Sequence, residues 1–155
     1  MLAITVITVS DRAYKKEYED LSGPAVRDIF LAGLAAEVEL IVVPDEKDAI
    51  KRAILLHAGK DYIVTTGGTG LSARDVTPEA TREVCGREIP GIGEWLRRES
   101  LRETPHAVLS RGACGQMGNT IVINLPGSVN GATFCARLLV PILEHGKLMV
   151  RGGKH

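Results

Sequence analysis

Four apolar runs rich in β-branched residues alternate along the chain with segments of helical period. The runs cover residues 2–9, 38–43, 62–65 and 120–125. Strands that alternate with helices in this way are typical of βαβ units, whose strands pair in parallel. The pattern therefore predicts an α/β fold, a three-layer domain with a mostly parallel sheet. Because no repeat or linker interrupts the chain, we expect one domain over residues 1–155.

The segments between these runs carry the signals of helix starts. Residues that can cap a helix precede three of them: Ser22 or Gly23, Asp45, and Thr77 with Pro78 after it. A partly periodic stretch at 91–102 predicts another helix, and the last one follows the turn at 126–128 and ends before Gly146. Three aromatic side chains at helical positions are predicted to pack in the core: Phe30, Trp95 and Phe134.

Composition limits the classes of partner. With 19 Lys and Arg against 19 Asp and Glu the net charge is zero, so the chain as a whole is not attracted to nucleic acid or to an anionic membrane. No apolar stretch approaches the ~20 residues of a membrane span, and no charged leader with a cleavage site opens the chain. We therefore expect a cytoplasmic protein in which any phosphate is bound by a local site.

Cysteine and histidine spacing argues against a zinc site. The cysteines are odd in number and form no CxxC pair, which fits a reducing compartment. The four histidines show no HxxxH or His-Cys spacing. We expect the cysteines to serve packing and the histidines to be surface or core residues.

Polar residues follow each apolar run at its carboxyl end. The four motifs are Ser10-Asp11-Arg12, Pro44-Asp45-Glu46, Thr66-Gly67-Gly68-Thr69-Gly70 and Asn124-Leu125-Pro126-Gly127. In an open α/β sheet, ligands bind at the carboxyl ends of the strands, because helix N-termini and loop amides converge there. The four motifs therefore predict one shared binding site.

The glycine-rich stretch from Thr66 to Gly70 is the strongest of these motifs. Three glycines in four residues allow backbone amides to approach a ligand closely, as a phosphate site requires. The stretch is not a Walker A loop, because no Gly-Lys-Ser/Thr follows it. Residues 68–73 match the GxGxxA dinucleotide pattern, but the next helix cap comes only at Thr77, so we set that match aside. The alternative is that the glycines merely turn the chain.

Two aspartates are candidates for a magnesium site. Asp45 stands where a helix cap belongs, so a capping role is as well supported as a functional one. Asp75 has no evident structural duty, because Thr77 is available as the cap. A magnesium ion bound with a nucleotide takes one or two carboxylates together with phosphate oxygens and water, and this pair supplies them.

Several other polar residues are candidates for ligand binding only because of the motifs around them. Four of them can hydrogen-bond a ligand, although a lone Ser or Asn is more often a surface or turn residue: Ser10, Ser100, Ser110 and Asn124. Arg74 and Arg111 border the predicted site and can pair with phosphate, although solvated arginines are commoner.

A family resemblance rests on five motifs in order. They are TTGGTG at 65–70, RDVTPEAT at 74–81, REIPGIGE at 87–94, LSRG at 109–112 and NLPG at 124–127. Together they resemble the molybdopterin adenylyltransferase family, which includes the bacterial MogA and MoaB proteins. The match runs from Ser10 through the final helix. One departure is Val129, where relatives often carry a proline.

The resemblance implies a site and an assembly. By motif match, Asp45 and Asp75 correspond to the family's functional carboxylates. Positions that the family uses for pterin or nucleotide are matched by Ser10, Asp20, Thr66, Gly67, Gly68, Thr69, Gly70, Ser100, Ser110, Asn124, Pro126 and Gly127. The resemblance also implies a homo-oligomer, a trimer as in the MogA branch or a hexamer as in some MoaB proteins.

The implied reaction is transfer of AMP from Mg²⁺-ATP to the terminal phosphate of molybdopterin, with release of pyrophosphate. A metal insertase would take the product, and we expect no insertase domain in this chain. A second hypothesis is a molybdopterin-binding scaffold without transferase activity, as for some MoaB proteins. A third is an enzyme that shares the fold, such as the insertase or the domain of competence-damage proteins.

Overall fold

The computed structural model describes residues 1–153, so Lys154 and His155 lie outside the described residues. A six-stranded sheet has the spatial order β2-β1-β3-β6-β5-β4. Its strands are β1 (Leu2–Val9), β2 (Ala36–Val43), β3 (Tyr62–Thr66), β4 (Arg87–Glu88), β5 (Cys114–Met117) and β6 (Thr120–Leu125). The four predicted runs are β1, β2, β3 and β6, which pair in parallel. The predicted α/β fold with a mostly parallel sheet is confirmed.

The sequence patterns did not predict β4 and β5, the two strands that complete the sheet beyond β6. β5 runs antiparallel to β6, and β4 runs antiparallel to β5. β4 has only two residues, both exposed, and the CGQM segment of β5 contains a glycine and no β-branched residue. Two residues connect Met117 to its partner Thr120, and Gly118 among them has φ 57°. A Gly-Asn pair is a hairpin signal that the sequence did carry.

Helices cover both faces of the sheet and produce the three layers. The helices are α1 (Asp11–Tyr14), α2 (Ser22–Gly33), α3 (Lys47–Leu56), α4 (Thr77–Val84), α5 (Pro90–Ser100) and α6 (Val129–Val150), and a 3₁₀ turn covers Pro105–Leu109. On one face α2, α5 and α6 bury Phe30, Leu96 and Leu139, and on the other α3 and α4 bury Ile54 and Ala80. Burial of such apolar side chains is the main stabilising contribution to the domain.

Three predicted caps are wrong. The N-cap positions of α2, α3 and α4 are Leu21, Glu46 and Val76, and none of them forms a side-chain cap bond. At α3 and α4 the predicted capping side chain binds another segment instead. Asp45 accepts a hydrogen bond from the amide of Asp11, and the Thr77 hydroxyl donates to the carbonyl of Gly67. At α2 it is the carboxylate of Asp20 that accepts from the Gly23 amide.

The end of α6 was also predicted wrongly, since Gly146 lies inside the helix. The buried Tyr62 hydroxyl donates to the carbonyl of Leu143 at 2.7 Å. A side chain at position 146 would place its Cβ under 3.0 Å from that hydroxyl. Gly146 therefore makes room for Tyr62 and does not end the helix.

The cysteines serve packing, as predicted. All three are free thiols, with Cys114 and Cys135 buried and Cys85 half-buried. Burial raises the pKa of Cys85 to about 11 and that of Cys114 to about 12. Within the described chain, no helix combines the length and apolar character that crossing a membrane requires.

Candidate ligand-binding site at the strand carboxyl ends

The glycine loop begins where the carboxyl ends of β1, β3 and β6 approach each other. The amide of Gly67 donates to the carbonyl of Leu125 at 3.1 Å. Gly67 has φ 95°, and a Cβ there would lie under 3.0 Å from the carbonyl oxygen of Val9. A Cβ on Gly127 would lie 3.1 Å from the Cα of Gly67. Only glycine fits this close approach of three backbones.

Thr77 fastens the same loop to the start of α4. Its hydroxyl donates to the carbonyl of Gly67 at 2.9 Å, and its amide donates to the carbonyl of Gly68 at 3.1 Å. Gly68 also has a positive φ, 69°, and a Cβ there would collide with the Thr77 hydroxyl. The loop is therefore fixed to α4 as well as to the sheet.

Two aspartates join the loops that follow β1 and β2. The amide of Asp11 donates to Oδ2 of Asp45 at 2.8 Å, and the amide of Asp45 donates to Oδ1 of Asp11 at 2.9 Å. The guanidinium of Arg74 contacts both carboxylate oxygens of Asp11. Three segments distant in sequence thus meet within hydrogen-bond distance.

Asp11 and Asp45 differ in how readily the folded protein allows them to ionise. Burial, with the neighbouring charges of Asp11 and Asp75, raises the pKa of Asp45, although the Asp11 amide opposes that shift. Partial burial acts to raise the pKa of Asp11, but the hydrogen bonds from Arg74 and from the Asp45 amide outweigh it and lower that pKa. Ionised Asp45 is thus the costly member of the pair, and a cation nearby would stabilise it.

Arg111 holds the loop that carries Asp75. Its guanidinium donates to the carbonyl of Gly70 at 2.8 Å and to that of Asp75 at 2.7 Å, and it forms an ion pair with Glu79. Its amide donates to the carbonyl of Thr69 at 2.9 Å. The predicted phosphate contact is not needed to explain Arg111, because its side chain binds the protein itself. Asp75 also has a local contact, from the amide of Ser72 to Oδ2, so the expectation that it has no structural duty is wrong.

Two adjoining cavities open at this edge of the sheet. The larger has a volume of about 730 Å³ and lies between the glycine loop, the 3₁₀ turn and the start of α6. The smaller, about 260 Å³, lies over the ends of β1 and β3. Gly68, Asp75 and Gly127 line both cavities. A ligand in one cavity would therefore meet a ligand in the other beside Asp75.

Most of the predicted site residues line these cavities. Those at the larger one are Gly68, Thr69, Gly70, Asp75, Ser100, Ser110, Pro126 and Gly127. Those at the smaller one are Ser10, Asp45, Thr66, Gly67, Gly68, Asp75 and Gly127. The structure thus brings the four strand-end motifs to one place.

Asp20 and Asn124 do not line either of the two cavities. Asp20 accepts hydrogen bonds from the hydroxyl of Thr8 and the amide of Gly23. Asn124 is buried, where it accepts from the Ala113 amide and donates to two threonine hydroxyls. Both side chains brace the strands and helices behind the cavities.

The match to a family model decides the family. A model described as "Probable molybdopterin binding domain" matches residues 5–145. The chain belongs to this family. That span includes every strand of the sheet except the first residues of β1, so the match covers the fold as well as the site.

Named relatives of the molybdopterin binding family agree in sequence and in fold. The molybdopterin adenylyltransferase of Helicobacter pylori strain J99 is 40% identical over 147 residues, which cover 92% of this chain and 84% of the relative. The molybdopterin biosynthesis enzyme MoaB of Thermus thermophilus is 44% identical with a TM-score of 0.86 over 98% of each chain. The tungsten cofactor synthesizing protein MoaB of Pyrococcus furiosus is 30% identical with a TM-score of 0.86, over 100% of this chain and 98% of that one. The predicted family is confirmed.

Sequence patterns did not predict some residues that line the larger cavity of this molybdopterin binding fold. Phe134, predicted to be core, is half-exposed in the wall of the larger cavity. Glu103 and His106 border the same cavity from the segment around the 3₁₀ turn. Phe134 lies on the first turns of α6, close after the Pro126-Gly127 turn of a predicted site motif. This closeness in sequence was the signal that could have placed Phe134 at the site. His106 and Glu103 carried none, because the 3₁₀ turn has no periodic pattern.

Replacing Arg111 tests whether it positions Asp75. In Arg111→Lys the lysine keeps the charge but cannot reach two carbonyls and a carboxylate at once. We therefore expect the rate of any reaction at this site to fall about tenfold, with a small change in melting temperature. The matched control is Arg102→Lys, because the exposed guanidinium of Arg102 pairs, within the described part of the chain, only with Glu99. Equal turnover by the two variants would contradict the positioning role.

Proposed function

We propose that this chain is a molybdopterin adenylyltransferase, which transfers AMP from ATP to the terminal phosphate of molybdopterin. The observation that carries the proposal is the pair of cavities that share Asp75 and the glycine loop. The reaction needs two ligands whose phosphates meet, and two cavities that meet beside a carboxylate suit it. Relatives of this family named molybdopterin adenylyltransferase support the same reaction.

The larger cavity suits the pterin. A pterin is flat and heteroaromatic, so it favours an apolar wall on its face and hydroxyls at its polar edge. Phe134 and Leu109 supply the wall, and Ser100 and Ser110 supply hydroxyls. The smaller cavity, with Ser10, Asp45 and Thr66, would then take the adenosine and its α-phosphate.

Asp45 and Asp75 fit a magnesium ion that arrives with ATP. Among the described residues each carboxylate uses Oδ2 as an acceptor, from the Asp11 amide and the Ser72 amide, while Oδ1 has no hydrogen-bond partner. Two free carboxylate oxygens at one cavity suit an ion that takes its other ligands from phosphate and water. Bound there, magnesium would offset charge on the triphosphate.

The chemistry requires no protein nucleophile. An oxygen of the terminal pterin phosphate forms the bond to the α-phosphorus of ATP, and the bond from that phosphorus to the bridging oxygen breaks. Pyrophosphate leaves with the electron pair, and no proton need move. The role of the chain is to position the two phosphates and to hold their oxygens with loop amides such as those of Gly68 and Thr69.

We further propose a symmetric homo-oligomer, with a trimer preferred to a hexamer, that works in the cytoplasm and passes its product to a metal insertase. The exposed apolar side chains of Leu31, Leu56 and Leu148 are consistent with surfaces that another copy covers. Light scattering that finds only monomer at micromolar concentration would contradict the assembly.

The test of the activity is a reconstitution with purified protein, molybdopterin, ATP and Mg²⁺. We expect pyrophosphate and adenylylated pterin in equal amounts. Binding of molybdopterin without either product would favour the non-catalytic scaffold.

A further inference from the structure

A third recess adjoins the loops that follow β1 and β2, whose residues Ser10 and Asp45 line the smaller cavity. It has a volume of about 330 Å³ and is lined by α1, the start of α3 and Arg74. Three cationic side chains border it, those of Lys15, Arg52 and Arg74, and Tyr14 also lines it. Such a group of donors suits a small anion with several oxygens.

Two of these cations have no hydrogen-bond or ion-pair partner among the described residues. Most Lys and Arg side chains in the described chain form ion pairs with carboxylates. Over the same residues, 1–153, the side chains of Lys15 and Arg52 form neither a hydrogen bond nor an ion pair, and Lys15 has only a longer-range attraction to Asp11. Both side chains are exposed, so a ligand that enters the recess can reach them.

The recess is connected to the proposed reaction centre through Asp11. Asp11 lines the recess, and Asp45 lines the smaller cavity. Each of these two residues donates its amide to the carboxylate of the other, at 2.8 and 2.9 Å. On the same side Arg74, in the recess, directly precedes Asp75, which lines both cavities. One hydrogen-bonded pair of residues, Asp11 and Asp45, therefore joins the recess to the smaller cavity.

We propose that this recess binds the β- and γ-phosphates of ATP and holds the pyrophosphate as it leaves. The inference rests on the proposed adenylyl transfer. In that displacement the attacking and leaving oxygens lie roughly in line at the α-phosphorus. If the pterin phosphate attacks from the larger cavity and the nucleoside occupies the smaller one, the recess that the Asp11–Asp45 pair joins to the smaller cavity offers Lys15 and Arg52 to the leaving group.

The net charge of the recess stays positive although two acidic residues line it. The charge of Asp11 is matched by Arg74, which contacts both of its oxygens. Glu46 is exposed and opposes Lys15 and Arg52, so the remaining balance is one positive charge. The proposal therefore makes a prediction with the opposite sign: Glu46→Gln should bind pyrophosphate more tightly, because it removes a repulsive charge without removing a cap bond.

The experiment is a calorimetric titration with magnesium pyrophosphate, ATP and AMP as separate probes. Lys15→Gln and Arg52→Gln should each weaken pyrophosphate and ATP binding about fivefold, and the double variant about twentyfold. AMP lacks the β- and γ-phosphates, so its affinity should not change. The matched controls are Lys16→Gln, next to Lys15, and Arg137→Gln on α6, both exposed and outside the recess. They should bind all three probes like the unaltered protein.

The outcomes separate this inference from the proposed activity. Unaltered protein that forms adenylylated pterin, together with variants that bind pyrophosphate normally, would overturn the recess and leave the activity standing. A loss of pyrophosphate affinity in the two variants, with AMP unaffected, would support the recess even if no adenylylated pterin forms. An equal loss of AMP affinity would show a general effect on the fold or the nucleoside cavity and would also overturn the proposal.

Discussion

Asp75→Asn and Asp45→Asn are each expected to slow the formation of adenylylated pterin by roughly 10²- to 10³-fold, which is about 3 to 4 kcal/mol in the transition state. Each change keeps the size and the accepting oxygen of the side chain. What it removes is a negative charge next to the reacting phosphates, where a magnesium ion would be held. Turnover at saturating ATP is the measurement, because the loss belongs to the transition state.

Although Asp45→Asn should lower turnover, it should raise the free energy of unfolding. The pKa of Asp45 is raised, chiefly by burial, so its ionised form costs folding free energy without a ligand. That cost is present at neutral pH and disappears below the ordinary Asp pKa of about 3.9. The Asn variant should therefore be more stable than the unaltered protein near pH 7, as thermal or denaturant unfolding would measure, and the gain should vanish in acid.

Asp48→Asn is the matched control, because this exposed carboxylate also lies at the start of α3 but borders none of the three cavities described above. It should keep its activity and stay within a few tenths of a kcal/mol in stability. Near wild-type turnover by both Asp45→Asn and Asp75→Asn would refute the two-carboxylate mechanism.

Gly67→Ala is expected to lower the free energy of unfolding by about 3 to 4 kcal/mol, which for a chain of this size is a melting temperature about 10 °C lower. An alanine at φ 95° is strained, and its Cβ would collide with the Val9 carbonyl at the end of β1. The strand ends would have to separate, so affinity for ATP should fall as well.

Gly59→Ala separates the backbone strain at positive φ from the collision of the new Cβ. Gly59 has φ 102°, but, its two chain neighbours aside, no atom of residues 1–153 lies within 4 Å of the position its Cβ would occupy. This variant should lose only the conformational part, about 1 kcal/mol, and bind ATP normally. If the two variants lose the same stability, the close approach at Gly67 does not matter.

The central strands and the glycine loop could be predicted from sequence because their signals are local. Buried parallel strands are continuous apolar runs, and the strand rule places the polar motifs at one edge. Both ends of β1 and β6 agree with the predicted runs. The site follows from that order, since Gly67 and Gly127 must meet if β3 and β6 are neighbours.

Features set by tertiary contacts could not be predicted in this way. Asp45 and Thr77 stand at cap positions in the sequence, yet each binds another loop. Asp45 accepts from the amide of Asp11, and Thr77 donates to the carbonyl of Gly67. Phe134 satisfies helical periodicity but lines a cavity, as do Asn130 and Gly131 on the first turn of α6. Periodicity identifies a helix face without showing whether protein or ligand covers it.

Isotope transfer tests the central claim most directly. Purified protein is incubated with molybdopterin, Mg²⁺ and ATP that carries a radioactive α-phosphate or, separately, a radioactive γ-phosphate. Adenylyl transfer predicts that the α-label enters the pterin product and that the γ-label appears only in pyrophosphate. Transfer of the γ-label to the pterin, or bound molybdopterin that acquires neither label, would contradict the account.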